Sequence, residues 1–258
     1  MTLMNSALLS SVGLLFGILL FHEVGWRLGG YPKSASKPGG ASSGLLEGAI
    51  YGLLGLLIAF TFSGAASRFD HRRELVIEET NAIGTAYLRL DLLPADAQPV
   101  LRTLFRQYLD ARLDTYRKLP DWDASQMALA RSRSLQDQIW PMAVKACQGS
   151  GSVPTTTLLL NALNEMFDIA TLRNTVAMEM HPPLIIFLML FSLALISAGL
   201  AGFTAAGAVG RRNWVPVLAF AFITAGTVYA ILDIEYPRMG LIRVDSVDRV
   251  MIDLRNSM

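Results

Sequence analysis

The stretch Gly48 to Ser67, GAIYGLLGLLIAFTFSGAAS, carries no charge and no proline over 20 residues. At about 1.5 Å of rise per residue, a helix of that length crosses the roughly 30 Å hydrocarbon core of a bilayer. Three further runs are apolar and read as spans: Ala7 to Phe21, Pro182 to about Ala208, and Trp214 to Leu232. Charged residues make up 17% of the chain against roughly 25% in soluble domains, and the deficit sits in these four runs. An N-terminal secretory signal would open with basic residues and close on a small-residue cleavage site. Here no basic side chain precedes the first run, and His22, Glu23 and Trp26 follow it, so it reads as a retained span with interfacial residues at its end.

Between the second and third spans lies a polar section, Phe69 to His181. It divides into four helical patterns and no period-2 runs. The first continues the second span through Leu75, Ile83 and Tyr87 to about Leu93, where Pro94 ends it. Leu101, Leu104, Phe105, Tyr108, Leu109, Leu113 and Tyr116 mark the next at i, i+3, i+4 spacing. A third runs from about Ala124 to Cys147 with Pro141 inside it, which predicts a kink or break. Gly149-Ser150-Gly151-Ser152 reads as a hinge, and a fourth helix runs from about Pro154 to Met180. The fold class is therefore all-α: an integral membrane protein of four transmembrane helices, with an extramembrane helical bundle inserted between spans 2 and 3. Its segments are 1–68 (spans 1 and 2), 69–181 (bundle), 182–236 (spans 3 and 4) and 237–258 (C-terminal tail).

An even number of spans puts both termini on one side. Arg68, Arg72, Arg73, Arg173, Arg238, Arg243 and Arg249 fall on that side, and Arg27, Lys33, Lys37, Arg211 and Arg212 on the other. The positive-inside bias leans toward termini and bundle in the cytoplasm. A net charge of +1 gives no bulk attraction for nucleic acid. The single cysteine, Cys147, excludes an intrachain disulfide and a multi-cysteine zinc site.

Two features distinguish the second span. Gly44, Gly48 and Gly52 recur every four residues, a bare edge on which another helix can pack; Gly199 and Gly202 give the third span a similar surface. Beside that edge run Glu47, Tyr51, Leu54, Ile58 and Phe62 at helical spacing. An acid and a phenol at a pore mouth, then three bulky apolar groups as a neck, would suit a pore wall; a tightly packed membrane helix with a glutamate near one end would look the same.

Motifs for chemistry are sparse. No phosphate-binding loop, dinucleotide fingerprint or H-E-x-x-H occurs. One G-x-S-x-G, Gly40 to Gly44, follows a Gly/Pro/Ser loop and no strand, so it is not a nucleophile elbow. His71, Glu74 and Glu78 share a helix face, and the expectation is solvated ion pairing with Arg72 and Arg73. Asp233 and Glu235, at the end of the fourth span, read as an interfacial cap. No catalytic residue, metal ligand or cofactor is expected, and the chain is not read as an enzyme.

Arg68-Phe69-Asp70-His71-Arg72-Arg73-Glu74-Leu75 and the run from Glu78-Glu79-Thr80-Asn81 to Leu90, with Asp233, Pro237, Arg238, Gly240, Ile242 and Val244 in the tail, resemble a bacterial four-span membrane family described as bestrophin-like. That family is distantly similar to bestrophins, which are pentameric ion channels with the second span lining the pore. The resemblance implies a bacterial inner membrane and a homo-oligomer, a pentamer, whose partners are the lipid bilayer and permeant ions, with Leu54, Ile58 and Phe62 as the neck. The calcium clasp of animal bestrophins would need an acidic run after the last span; only Asp233 and Glu235 stand there. The alternative is a non-conducting scaffold or sensor whose bundle binds a partner protein.

Overall fold

The computed structural model describes residues 3–30, 40–206, 213–236, 240–242 and 247–258. Lys33, Lys37, Arg211, Arg212, Pro237, Arg238, Arg243 and Val244 lie outside the described residues. Eight α-helices and one short 3-10 turn account for nearly all of those described, in the order α1 (Leu3–Gly29), α2 (Gly40–Leu88), a 3-10 turn (Arg89–Leu92), α3 (Gln98–Arg117), α4 (Trp122–Ser150), α5 (Val153–Met178), α6 (Leu184–Ala206), α7 (Val215–Glu235) and α8 (Asp248–Ser257). No strand occurs among the described residues. Four helices are long and apolar enough to cross a membrane. Together with the all-α content they make this a four-span membrane protein with a helical insertion.

The chain separates into two compact units, Met1–Arg68 with Pro182–Tyr236, and Phe69–His181 with Pro237–Met258. In the first unit α1 packs along α6 and α7. The contact with α6 is close enough that backbone meets backbone. A Cβ on Gly202 would stand 2.0 Å from the carbonyl oxygen of His22, and one on Gly25 would stand 1.9 Å from that of Gly199. Only hydrogen fits at such positions, which is how membrane helices gain contact when water supplies no hydrophobic drive between them. His22 is 4% exposed, with its ring set edge-on to Trp214. Its neighbour Glu23 does face outward and pairs with Arg27 at 2.8 Å.

In the second unit the lower part of α2, with α3, α4 and α5, surrounds a core of Ile83, Leu90, Phe105, Leu109, Ile139, Leu159, Leu163 and Met166. The expected ends are sound to within a few residues. Before Pro94 the helix tightens into the 3-10 turn, because the residue preceding proline is driven out of the α region; Leu93 is extended at ψ 160°. Pro141 does not end α4, which continues to Ser150 and is closed by Gly151 at φ 67°. Asp121 caps its start by accepting from the Ala124 amide. The tail was expected only as a tail. Residues 248–257 form α8, which lies on α3 and is held by a bidentate Arg255–Asp110 pair at 2.7 and 2.9 Å.

Candidate conduction helix

α2 is helical without interruption over 49 residues. No proline interrupts it, and the glycines of its spanning half are tolerated because in lipid the backbone must satisfy its own hydrogen bonds, which a helix does. Its membrane half is covered by its own subunit on one face and exposed on the other.

The expected neck does not lie on one face. Steps of four residues advance a helix by about 40° beyond a full turn, so Leu54, Ile58 and Phe62 rotate through about 80°. Their surroundings follow that rotation. Leu54 is 2% exposed, in a core with Leu14, Ile18, Leu190, Ala194 and Val228; Ile58 is half-buried against that core; Phe62 is 43% exposed. Leu54 therefore packs inside its own subunit. Tyr51 is likewise engaged within the subunit, its hydroxyl donating to the Ser197 carbonyl at 3.3 Å and its ring edge-on to Phe220. Glu47 is half-buried. The covered face continues through Thr61, which donates to the Leu57 carbonyl, and Ala65 at 0% exposure.

Opposite lie Gly52, Leu56, Ala59 and Ser63, all exposed. On one flank of that face stand Gly44, Gly48 and Gly55, where an added Cβ would meet nothing within 4 Å, as it would at Gly52. The glycine edge of the second span thus touches no helix of its own subunit, whereas Gly202 is pressed against α1. Gly199 supplies the carbonyl that lies against Gly25.

Charged groups near the ends of the spans are organised differently from the expectation. Glu235 is fully buried, and its Oε2 accepts from Arg68 Nη2 and Nε at 2.8 and 2.9 Å. Asp233 is 4% exposed. Both carboxylates are therefore interior groups of the membrane unit. In the second unit, His71 and Glu74 are exposed and 3.8 Å apart, Arg73 reaches Asp70 at 3.4 Å, and Glu78 is exposed. Arg72 departs from the solvated pairing expected of it. It is 7% exposed and donates to the Met180 carbonyl at 3.2 Å, with His181 Nδ1 3.4 Å away. Among the described residues no three His, Cys, Asp or Glu side chains converge on a metal site.

A charge cluster that sequence reading missed lies inside the bundle. Glu79, with 0% exposure, accepts from Arg112 Nε and from Arg173 Nη1, the latter at 2.5 Å. The Arg173 guanidinium also lies 3.8 Å from the Tyr116 ring centroid. Burial alone would raise the Glu79 carboxyl; the two guanidiniums outweigh it and bring its pKa from 4.5 down to about 2. A signal was present. Glu79 stands four residues from both Leu75 and Ile83, and Arg112 four from both Tyr108 and Tyr116, so each occupies an apolar position of its helix period.

The bestrophin-like domain family matches residues 41–248, which includes all of α2 from its second residue. The chain belongs to the bestrophin-like family. No curated protein matches it significantly. Solved structures share the fold across nearly its whole length. A bacterial bestrophin homologue from Klebsiella pneumoniae with a tryptophan-to-alanine mutation is 16% identical, over 97% of this chain and 98% of that one, at a TM-score of 0.70. A leucine-to-threonine variant from the same organism is 18% identical over 95% and 96% at 0.66, and the form phased on zinc is 17% identical over 97% of each at 0.63. At these identities the likeness establishes the fold. The bestrophin-like arrangement therefore includes the helix whose outward face is open here.

Proposed function

We propose that this bestrophin-like protein is the subunit of a homo-oligomeric ion channel, pentameric by family resemblance, with α2 lining the conduction path and the bundle in the cytoplasm. The observation that carries the reading is the two-sidedness of the membrane half of α2. One face, through Leu54, Thr61 and Ala65, belongs to the subunit's own core; the other, through Gly52, Leu56, Ala59 and Ser63, is exposed. In a ring of subunits the exposed face is the one available to a shared axis. Of the expected neck, Phe62 stands at the edge of that face and Ile58 is half-covered. The constriction is accordingly assigned to Leu56 and Phe62, where apolar side chains from several subunits can stop ions by dewetting. Glu47 supplies an acidic ring toward the outer mouth and favours cations.

Ion flux into liposomes tests this. Leu56→Ala and Phe62→Ala should raise flux, whereas Leu54→Ala should lower stability and leave the path unchanged. Flux that rises only in Leu54→Ala would overturn the assignment of faces. Glu47→Gln should weaken cation preference, read as a shift in reversal potential. The competing reading is a non-conducting scaffold, in which the open glycine edge serves only helix packing. An oligomer of folded subunits that passes no ions in any of these variants would decide for it.

A further inference from the structure

We propose that Tyr51 and the Arg68–Glu235 pair are positioning groups that set the rotation of α2 about its own axis, and with it the side chains α2 turns toward a conduction path. The inference rests on the conducting role proposed for α2 and concerns the spanning unit alone, to which all of these residues belong. Bulky apolar side chains stand on both sides of the spanning half: Leu54 and Ile58 on the covered side, Leu53, Leu56, Phe60 and Phe62 on the open one. Lipid tails are as apolar as a protein core, so exchanging one of these side chains for another against the subunit changes the free energy little. Hydrophobicity therefore does little to choose the face that α2 turns inward. Thr61 is no guide either, because it donates to the Leu57 carbonyl of its own helix, a bond that survives any rotation. A polar bond to another helix is different, since breaking it in lipid leaves groups without a partner.

Tyr51 and Arg68 both make such bonds. Tyr51 donates to the Ser197 carbonyl of α6 at 3.3 Å, and its ring stands edge-on to Phe220 of α7 at 5.5 Å between centroids. Arg68 grips Glu235 of α7: its Nε lies 3.2 Å from Oε1 and 2.9 Å from Oε2, and its Nη2 lies 2.8 Å from Oε2. The guanidinium folds back along α2 beside Gly64, where an added Cβ would stand 3.2 Å from Nη1. Glu235 has no exposed side chain, so the grip is on an interior carboxylate. Tyr51 and Arg68 are 17 residues apart. That separates them by about 25 Å along the axis and by about 100° around it. The line midway between them runs past Leu54 and Ala65, both buried, while Leu56 and Ser63 lie opposite and exposed. One pin would leave α2 free to swing and turn about it. Two pins, spaced along the helix and splayed around it, fix tilt and rotation together and hold Leu56 outward.

Cysteine reactivity tests this in the full-length protein reconstituted in liposomes. In a Cys147→Ser background, which removes the single native thiol, Leu56→Cys should react with a charged, water-soluble methanethiosulfonate severalfold faster than Ile58→Cys. Adding Tyr51→Phe and Arg68→Gln should bring the two rates together, because α2 no longer holds one setting. An unchanged ratio in that protein, even with a lowered melting midpoint, would mean that the two groups only stabilise the subunit, and would overturn the inference. If Leu56→Cys reacts no faster than Ile58→Cys with both pins intact, the conducting role itself fails and the inference goes with it, a result distinguishable from the first. Should the Arg68 variant not fold, Tyr51→Phe alone, which removes one hydroxyl, must narrow the ratio; rates left as far apart as before would sink the proposal.

Discussion

Replacing Glu79 by glutamine keeps the volume of the side chain and removes its charge, leaving two buried guanidiniums facing each other. The depressed carboxyl sets the scale. A pKa of about 2 in the folded protein against an ordinary 4.5 corresponds to about 3 kcal/mol of stability at neutral pH. That agrees with the roughly 3–5 kcal/mol lost when one partner of a buried ion pair is deleted. For a chain of this size each kcal/mol shifts the midpoint of thermal unfolding by about 2–4 °C, so the expected drop is about 6–12 °C. The assay is thermal unfolding of the detergent-solubilised full-length protein followed by circular dichroism.

The same residue predicts a pH dependence of known sign. Because the folded pKa lies below the unfolded one, the contribution is complete above about pH 4.5 and is lost as pH falls toward about 2. The gap between wild type and Glu79→Gln should thus be constant near neutrality and close across that window. A variant melting within a degree or two of wild type at pH 7 would refute the pairing. A gap that persists unchanged at pH 2 would show that it arises from packing and not from charge. Replacing Glu79, Arg112 and Arg173 together by apolar residues of similar volume should cost far less than Glu79→Gln alone, since no uncompensated charge is left behind.

Gly202→Val should separate α1 from α6, because even a Cβ there would fall 2.0 Å from the His22 carbonyl oxygen; the expected loss is upward of about 3 kcal/mol, visible as a lowered melting midpoint, while Gly48→Ala, with open space around it, should leave subunit stability unchanged. The Arg68–Glu235 pair should respond asymmetrically. Glu235 is fully buried and Arg68 side chain 33% exposed, so Arg68→Gln should destabilise more than Glu235→Gln, and the double variant should recover part of the loss in a double-mutant cycle.

Spans and bundle were legible because each rests on a local property. Twenty uncharged residues from Gly48 to Ser67 need no partner to be recognised, and the i, i+3, i+4 pattern of α3 is written in consecutive residues. What was not legible depends on segments far apart in the chain. Arg173 lies 94 residues from Glu79, and nothing local to either tells that they meet. Nothing local to His22 announces its burial, which comes with helices that arrive more than 160 residues later. α8 lacked a long apolar period, and its place on α3 rests on the Arg255–Asp110 contact.

The neck is the instructive case, since the stripe read from α2 includes a residue buried in its own subunit. Spacing by four selects side chains that drift about 40° per step, and spacing by three drifts about as far the other way, so a face must alternate the two to stay in place. Leu54, Ile58 and Phe62 use only the four-residue step and walk from the core to the surface. Gly52, Leu56, Ala59 and Ser63 use four, three and four, and all remain exposed. A helix that serves both its own subunit and a central axis must divide its circumference between them. If α2 lines the path, the lining is drawn from the complement of the buried set, which holds Gly52, Ala59 and Ser63 together with the bulky Leu53, Leu56, Phe60 and Phe62. A conduction path built on the Gly52, Leu56, Ala59 and Ser63 face would be narrowest where a bulky side chain projects, which is why flux should respond more to Leu56 and Phe62 than to the small residues beside them.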